Sequence, residues 1–403
     1  MKGLSIRNQQ RIYFLLLFLT LAAVVLPSYA FVSQLLILTA LYGLFFMEDF
    51  RTKRRRLRAH MVPFLVISLP FWLALLEVLF HPGPEAVSLL VRKLPFLIFP
   101  LLVFSGPYEK GTASLALRFL AWATVAVSLS ALLTAWAVRW TGWGDYLFYH
   151  ELSLFTRKHT TYFALFITTA LYYFAGRCLS GGWRSFRREW TVWAACLILV
   201  YMLFLLSNRI SFVALAVALA VRSLDYGRSA FLKAGLAVGM LLLVYWQTPY
   251  ARSRWNYQHL AAKIQADLDK RTRAWQAVIQ VWQQYGPWTG VGHGEGRQPL
   301  YVEYKEKGLI QAYLEKYNAH NQYLEMALSF GWIGGVLFWM SLAYMALVFI
   351  RRRHYEALGL LSLFLVFMLT ESILERQSGI ILFAALLSLL WRDAEASDHE
   401  KVG

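Results

Sequence analysis

"YNAHNQYLEMALSFGWIGG", residues 317–335, carries a polar segment directly into an apolar one. His320 and Asn321 stand at the border, and asparagine is a favoured helix cap. Beyond it the apolar run continues to residue 350. That is long enough for the roughly 20 residues that cross a bilayer. Similar windows recur at 12–26, 31–47 and 230–246. Of 403 residues 58% are hydrophobic and 16% charged, with a mean hydropathy of +0.46. Soluble domains carry about 25% charged residues. The expected fold is therefore all-α, in a polytopic membrane protein. The first window is not a cleavable signal peptide, because a second span follows at once with no clear small-x-small site.

About twelve transmembrane helices are expected, at 12–26, 30–47, 61–80, 93–105, 117–138, 159–178, 190–207, 210–225, 230–247, 321–350, 355–372 and 379–392. The net charge is +17, yet the basic residues collect in short loops. One holds Arg51, Lys53, Arg54, Arg55, Arg56 and Arg58; others hold Arg177, Arg184, Arg187 and Arg188, then Arg222, Arg228 and Lys233, then Arg351, Arg352 and Arg353. With the alternation above, all fall on one side, the pattern of cytoplasmic loops. Both termini are then cytoplasmic. This distribution speaks against nucleic acid as a partner. Cys178 and Cys196 lie in or beside apolar spans, and no Cys/His metal spacing occurs.

One outward loop, 248–320, is long enough to form its own helices. It divides the chain into 1–247, with spans one to nine; the periplasmic helical loop 248–320; and 321–403, with spans ten to twelve and a cytoplasmic tail. Within the loop, "DLDKRTRAWQAVIQVWQQY", 267–285, places Trp275, Val278, Ile279 and Trp282 at helical spacing. "GPWTGVGHGEG", 286–296, ends that helix with breakers. A second amphipathic piece is expected over 301–317.

Charge at the lip of a span is functional by default. Arg209, in "LLSNRISFV", lies on the outward side, where positive-inside logic avoids arginine. It is either a snorkelling side chain or an anion site. Arg271 and Arg273 open the expected 267–285 helix; cations are disfavoured at a helix N-terminus, so a bound anion would relieve the conflict. His320 has two readings. It is an interfacial capping residue, or a general base: a helix N-terminus disfavours imidazolium, leaving a ring nitrogen to accept a proton. Asn321 would cap the helix, and Glu325, one turn on, would orient the ring. His159, beside Lys158, could line the same cavity. His293 lies in a Gly-rich turn that is no P-loop. His150-Glu151 lacks the second histidine of a zinc protease motif, and no Asp-x-Asp motif supports a metal. A phosphate-bearing lipid suits such a basic outward cavity.

The segment "RTRAWQAVIQVWQQYGPWTGVGHGEG", followed by "AHNQYLEMALSFGWIGG", resembles the signature region of the O-antigen ligase and polymerase superfamily. "SNRISF" is similar to its Ser-x-Arg element. The resemblance implies a GT-C-like fold in the bacterial inner membrane with a periplasmic active site, and a metal-independent, inverting glycosyl transfer with no cofactor. The implied donor is a glycan on undecaprenyl diphosphate, and the implied acceptor a sugar of lipid A-core. His320 matches the family's catalytic histidine; Arg209 and Arg273 match its diphosphate-binding arginines. Asn321, Glu325, Arg271, Lys158 and His159 are possible supporting residues. The rivals are O-antigen polymerase, a protein O-oligosaccharyltransferase and, outside the superfamily, a transporter of anionic solutes. The relatives within the superfamily often carry an extra C-terminal outer domain, so length and the single large loop lead to the expectation of a ligase.

Overall fold

Long apolar runs leave the backbone few ways to satisfy itself out of water, and it forms helices. The computed structural model describes residues 6–80, 82–180, 189–227, 235, 239 and 257–402. The helices are α1 Ile6–Ala23, α2 Tyr29–Phe45, α3 Phe50–Ala59, α4 Met61–Phe80, α5 Pro84–Ser105, α6 Thr112–Trp140, α7 Tyr149–Leu154, α8 Thr160–Ser180, α9 Trp190–Leu206, α10 Arg209–Arg222, α11 Tyr257–Tyr285, α12 Gln298–Glu306, α13 Ile310–Leu314, α14 Gln322–Arg351, α15 Tyr355–Met368 and α16 Gln377–Val402. No strand occurs among the described residues. Helices overlap every expected span except the ninth, 230–247, which lies outside the described residues apart from Gly235 and Gly239.

Among the described residues four helices, α4, α5, α6 and α14, are long and apolar enough to cross a membrane. The pair α2 and α3, bent by 106°, makes a fifth candidate. That is fewer than about twelve: the ninth expected span lies outside the described residues, and several of the others fall short for a physical reason. Helices α10 and α15 have 14 residues each, or about 21 Å of rise against a hydrocarbon core of about 30 Å. Helix α1 begins with Arg7 and Arg11, and α16 ends in a charged segment.

Helix α16 is the central post. Its residues from Ile380 to Leu390 are buried almost without exception, and it packs on α5, α6, α4 and α15. A helix apolar all round belongs in an interior. Outer helices turn apolar side chains outward instead: Ile37, Leu38 and Leu41 on α2, and Ile333, Leu337, Met340 and Leu347 on α14. Such belts suit lipid.

The expected short fourth span begins earlier, at Pro84, with the proline in the first turn where its missing N–H costs nothing. Arg92 and Lys93 therefore lie inside α5. Between α9 and α10 the chain breaks as expected: Ser207 takes φ +53° and Asn208 caps Ser211. The 301–317 piece is split into α12 and α13 by Gly308, at φ +70°.

Helix α14 is broken at Gly331, at φ +64° and ψ −163°. The Gly-rich segment threads the break. Val291 and Gly292 donate to the carbonyls of Leu328 and Ser329, at 2.8 and 3.1 Å, and Trp332 and Ile333 donate to Pro287 and Trp288, at 2.8 and 3.2 Å. A Cβ on Gly290 or Gly331 would strike the opposing backbone. The glycines thus serve this close approach, and it fastens the Gly-rich segment to the helix that follows His320.

Candidate active site

Asn321 fixes the border residue. Its Oδ1 accepts from the amides of Tyr323 and Leu324, at 3.0 and 3.1 Å, and its Nδ2 donates to Leu369 O at 3.2 Å. His320, one position earlier, has φ +44°, and its amide donates to Asn318 Oδ1 at 3.0 Å. The imidazole stands edge-on to Tyr317. Its Nδ1 lies 3.2 Å from Glu371 Oε1, and the side chain is 40% exposed. A ring that donates Nδ1–H to a carboxylate keeps Nε2 as the proton acceptor. His320 and Glu371 share a cavity of about 1060 Å³ with Arg92, His159, Arg297 and Arg376.

Glu371 lies in the connection between α15 and α16, buried. Burial alone would raise its carboxyl, but the His320 hydrogen bond and nearby positive charge outweigh that and hold it below the usual range.

Behind the pair runs a buried ionic network. Lys93 Nζ meets Glu375 Oε1 at 2.8 Å and Leu374 O at 2.6 Å, while Gln322 Nε2 donates to Glu375 at 3.2 Å. For Glu375 burial is again the largest influence and is upward; Lys93, His293 and Arg297 reverse it and bring the carboxyl down to about 2. Arg297 Nη2 lies 2.5 Å from Glu325 Oε1 and 2.6 Å from Ser329 Oγ. His293 is held by Glu77 through its amide, at 2.6 Å, and Nδ1, at 2.9 Å. Glu325 Oε2 accepts from the amide of Ala319 at 2.9 Å. It was expected to orient the His320 ring. It holds the backbone before that residue instead, and the carboxylate on the ring is Glu371.

His293, Glu325 and Glu375 bring one potential ligand atom each within 4.8 Å of one another. Arg297 bonds Glu325 and lies 3.3 Å from His293 Nε2, so a guanidinium already supplies the positive charge this cluster calls for.

The other expected residues are placed unevenly. His159 lines the cavity. Lys158 does not; it is buried behind Tyr29, with Nζ 3.8 Å from that ring's centroid and 3.5 Å from Ser378 Oγ, and burial lowers its ammonium to about 8. Arg209 is exposed at the first position of α10 and does not line the cavity. Arg271 and Arg273 were expected at a helix N-terminus. Helix α11 begins at Tyr257, so they lie about four turns inside it and the end-charge argument does not apply to them. Arg271 Nη1 donates to Thr370 O at 3.2 Å, next to Glu371, and Arg273 Nη1 donates to Lys307 O at 3.1 Å. Neither lines the cavity.

Glu371, Glu375, Arg376, Arg92 and Lys93 were missed from sequence, although the signal was there. "TESILERQ" sets three charges between two apolar runs, and "VRKLPF" sets two inside one. The rule that singled out Arg209 applies to both.

No curated protein is similar enough to the chain to count as a match. Residues 194–339, from α9 through the broken part of α14, match the family model described as O-antigen ligase. That match, over about a third of the chain, makes this segment similar to the O-antigen ligase family, and the apolar helices fit a membrane setting.

Proposed function

We propose that the chain transfers O-antigen glycan from undecaprenyl diphosphate to a sugar hydroxyl of lipid A-core, on the periplasmic face of the bacterial inner membrane. The observation that carries this reading is the His320–Glu371 pair, 3.2 Å apart at the wall of a cavity of about 1060 Å³. Around it we infer a GT-C-like frame of about twelve spans with both termini cytoplasmic. It divides into 1–247, the periplasmic loop 248–320, and 321–403.

In this reading Glu371 holds the Nδ1–H of His320, and Nε2 takes the proton of the acceptor hydroxyl. The freed oxygen attacks the anomeric carbon of the donor sugar. The bond from that carbon to the diphosphate oxygen breaks, its electron pair stays on the diphosphate, and the anomeric configuration inverts. The family resemblance assigns Arg209 and Arg273, which lie outside the cavity wall, to the departing diphosphate, where guanidinium charge would do the work a metal does elsewhere. Asn321, Glu325, Arg271, Lys158 and His159 are supporting residues, Asn321 and Glu325 by holding the backbone on either side of the base.

Reconstitution with lipid-linked glycan tests the proposal, with either lipid A-core or a second lipid-linked glycan as acceptor. Extension of lipid A-core supports a ligase. Extension of the second lipid-linked glycan alone makes the chain a polymerase. His320→Ala should abolish transfer and keep donor binding; normal transfer by that variant would remove the base from the scheme. Full activity in chelator is expected, and complete loss there would end the metal-free reading.

A further inference from the structure

We propose that Arg92 and Arg376 form an oxyanion-binding subsite in the wall of the cavity, separate from Arg209 and Arg273, which takes a phosphate group of a substrate. The proposal rests on the cavity being the transfer site. Arg92 projects from α5, and its Nη1 donates to Glu375 O at 3.3 Å. Arg376 is the next residue, with its guanidinium carbon 5.8 Å from the centroid of the Tyr162 ring. The two guanidiniums are thus anchored to consecutive residues of the connection that also carries Glu371. Both line the cavity and both are exposed to it.

Among the described residues, neither has a carboxylate within ion-pair distance. The nearby carboxylates are otherwise engaged: Glu371 by His320, Glu375 by Lys93 and Gln322, and Glu325 by Arg297 and the Ala319 amide. The wall also includes Glu85, seven positions before Arg92 on α5, and Glu315, which accepts from Gln311. Two guanidiniums in the wall of one cavity, neither in an ion pair among the described residues, suit a group with several anionic oxygens. The planar fork binds phosphate through paired hydrogen bonds. That phosphate has two possible sources: the diphosphate of the donor, or a phosphate on the acceptor saccharide.

The test uses the purified full chain in detergent micelles, with radiolabelled inorganic pyrophosphate and phosphate in equilibrium dialysis. Arg92→Gln and Arg376→Gln should each weaken pyrophosphate binding by about tenfold or more, the usual worth of a charged hydrogen bond. Arg92→Lys and Arg376→Lys should fall between wild type and the glutamine variants. A wild-type chain that binds neither anion, or a doubly substituted chain that binds as wild type does, overturns the subsite. Transfer kinetics then identify the source. A KM raised for the donor alone assigns the subsite to the donor diphosphate. A KM raised for a phosphorylated acceptor, and not for the same acceptor stripped of phosphate, assigns it to the acceptor. Unchanged KM for both overturns the proposal. If wild type transfers nothing while pyrophosphate binding still depends on the two arginines, the subsite stands and the transfer reading falls.

Discussion

At the residue scale the His320–Glu371 pair makes the sharpest demand. Glu371→Gln keeps shape and hydrogen-bonding capacity but loses the charge that fixes the ring. Transfer should fall by about 10²–10⁴, the range for a positioned general base, with donor binding unchanged. Full activity in this variant would show that the ring needs no anionic partner. Glu375 makes a second demand, on stability. Its folded carboxyl is lowered to about 2, below the unfolded value near 4.5. Its contribution is therefore complete above about pH 4.5 and is lost as pH falls towards 2. Glu375→Gln should destabilise the protein near neutrality, and its gap from wild type should narrow as pH falls from about 6 to 3. Thermal unfolding in detergent measures both values, and a constant gap would contradict the pairing with Lys93. Of these residues the sequence reading picked out only His320, because it sits beside a recognisable cap; the charges of Glu371 and Glu375 were visible, their partners were not. Glu371 contacts it across 51 positions, and nothing in local spacing reports a partner that distant.

At the element scale the break in α14 separates what pattern can show from what it cannot. Apolar periodicity located the helix and Asn321 located its start. Periodicity is blind to an interruption whose amides and carbonyls are satisfied by another segment. The glycines were visible, but their use was not, since each faces backbone about 40 residues away in sequence. Gly331→Ala meets two penalties, a left-handed φ and contact with the Trp288 backbone. About 1–3 kcal/mol of destabilisation is expected from the conformation alone, read as a lower unfolding midpoint. An unchanged midpoint would mean that the segment does not thread the helix. The start of α11 was misread. Its first residues, 257–266, already carry Tyr257, Leu260, Ala261 and Ile264 at helical spacing, and the reading started the helix ten residues too late.

At the scale of the whole molecule the helix ends form two unlike faces. One carries the cavity and the α14 break. The other gathers basic residues: Arg222 pairs with Glu356 at 2.7 Å, His60 with Glu395 at 3.0 Å, and Arg352 with Glu395 at 3.6 Å. If the membrane lies between these faces, a cysteine at exposed Lys316 and one at exposed Arg54 should behave oppositely. In intact spheroplasts an impermeant maleimide should label Lys316→Cys alone, and Arg54→Cys only after permeabilisation. Equal labelling of both would reject that orientation. The helical class and the positions of most described helices were legible here, because composition and apolar runs are averages over many residues. The central role of α16 was not, since burial on every side leaves no stripe to read.

The Lys93–Glu375 bond joins residues 282 positions apart, and this bears on how the chain is made. At about 5–20 residues per second, α5 emerges from the ribosome tens of seconds before its counter-ion exists. An unpaired lysine inside an apolar helix costs about 2.5–3.5 kcal/mol at insertion. If α5 enters a membrane during synthesis, it does so with Lys93 unpaired until the connection between the last two helices is made. Completion of the ionic network and closure of the bundle around α16 are then one late event in biogenesis. A chain stopped before that point would hold a charged, unfinished bundle for membrane quality control to recognise.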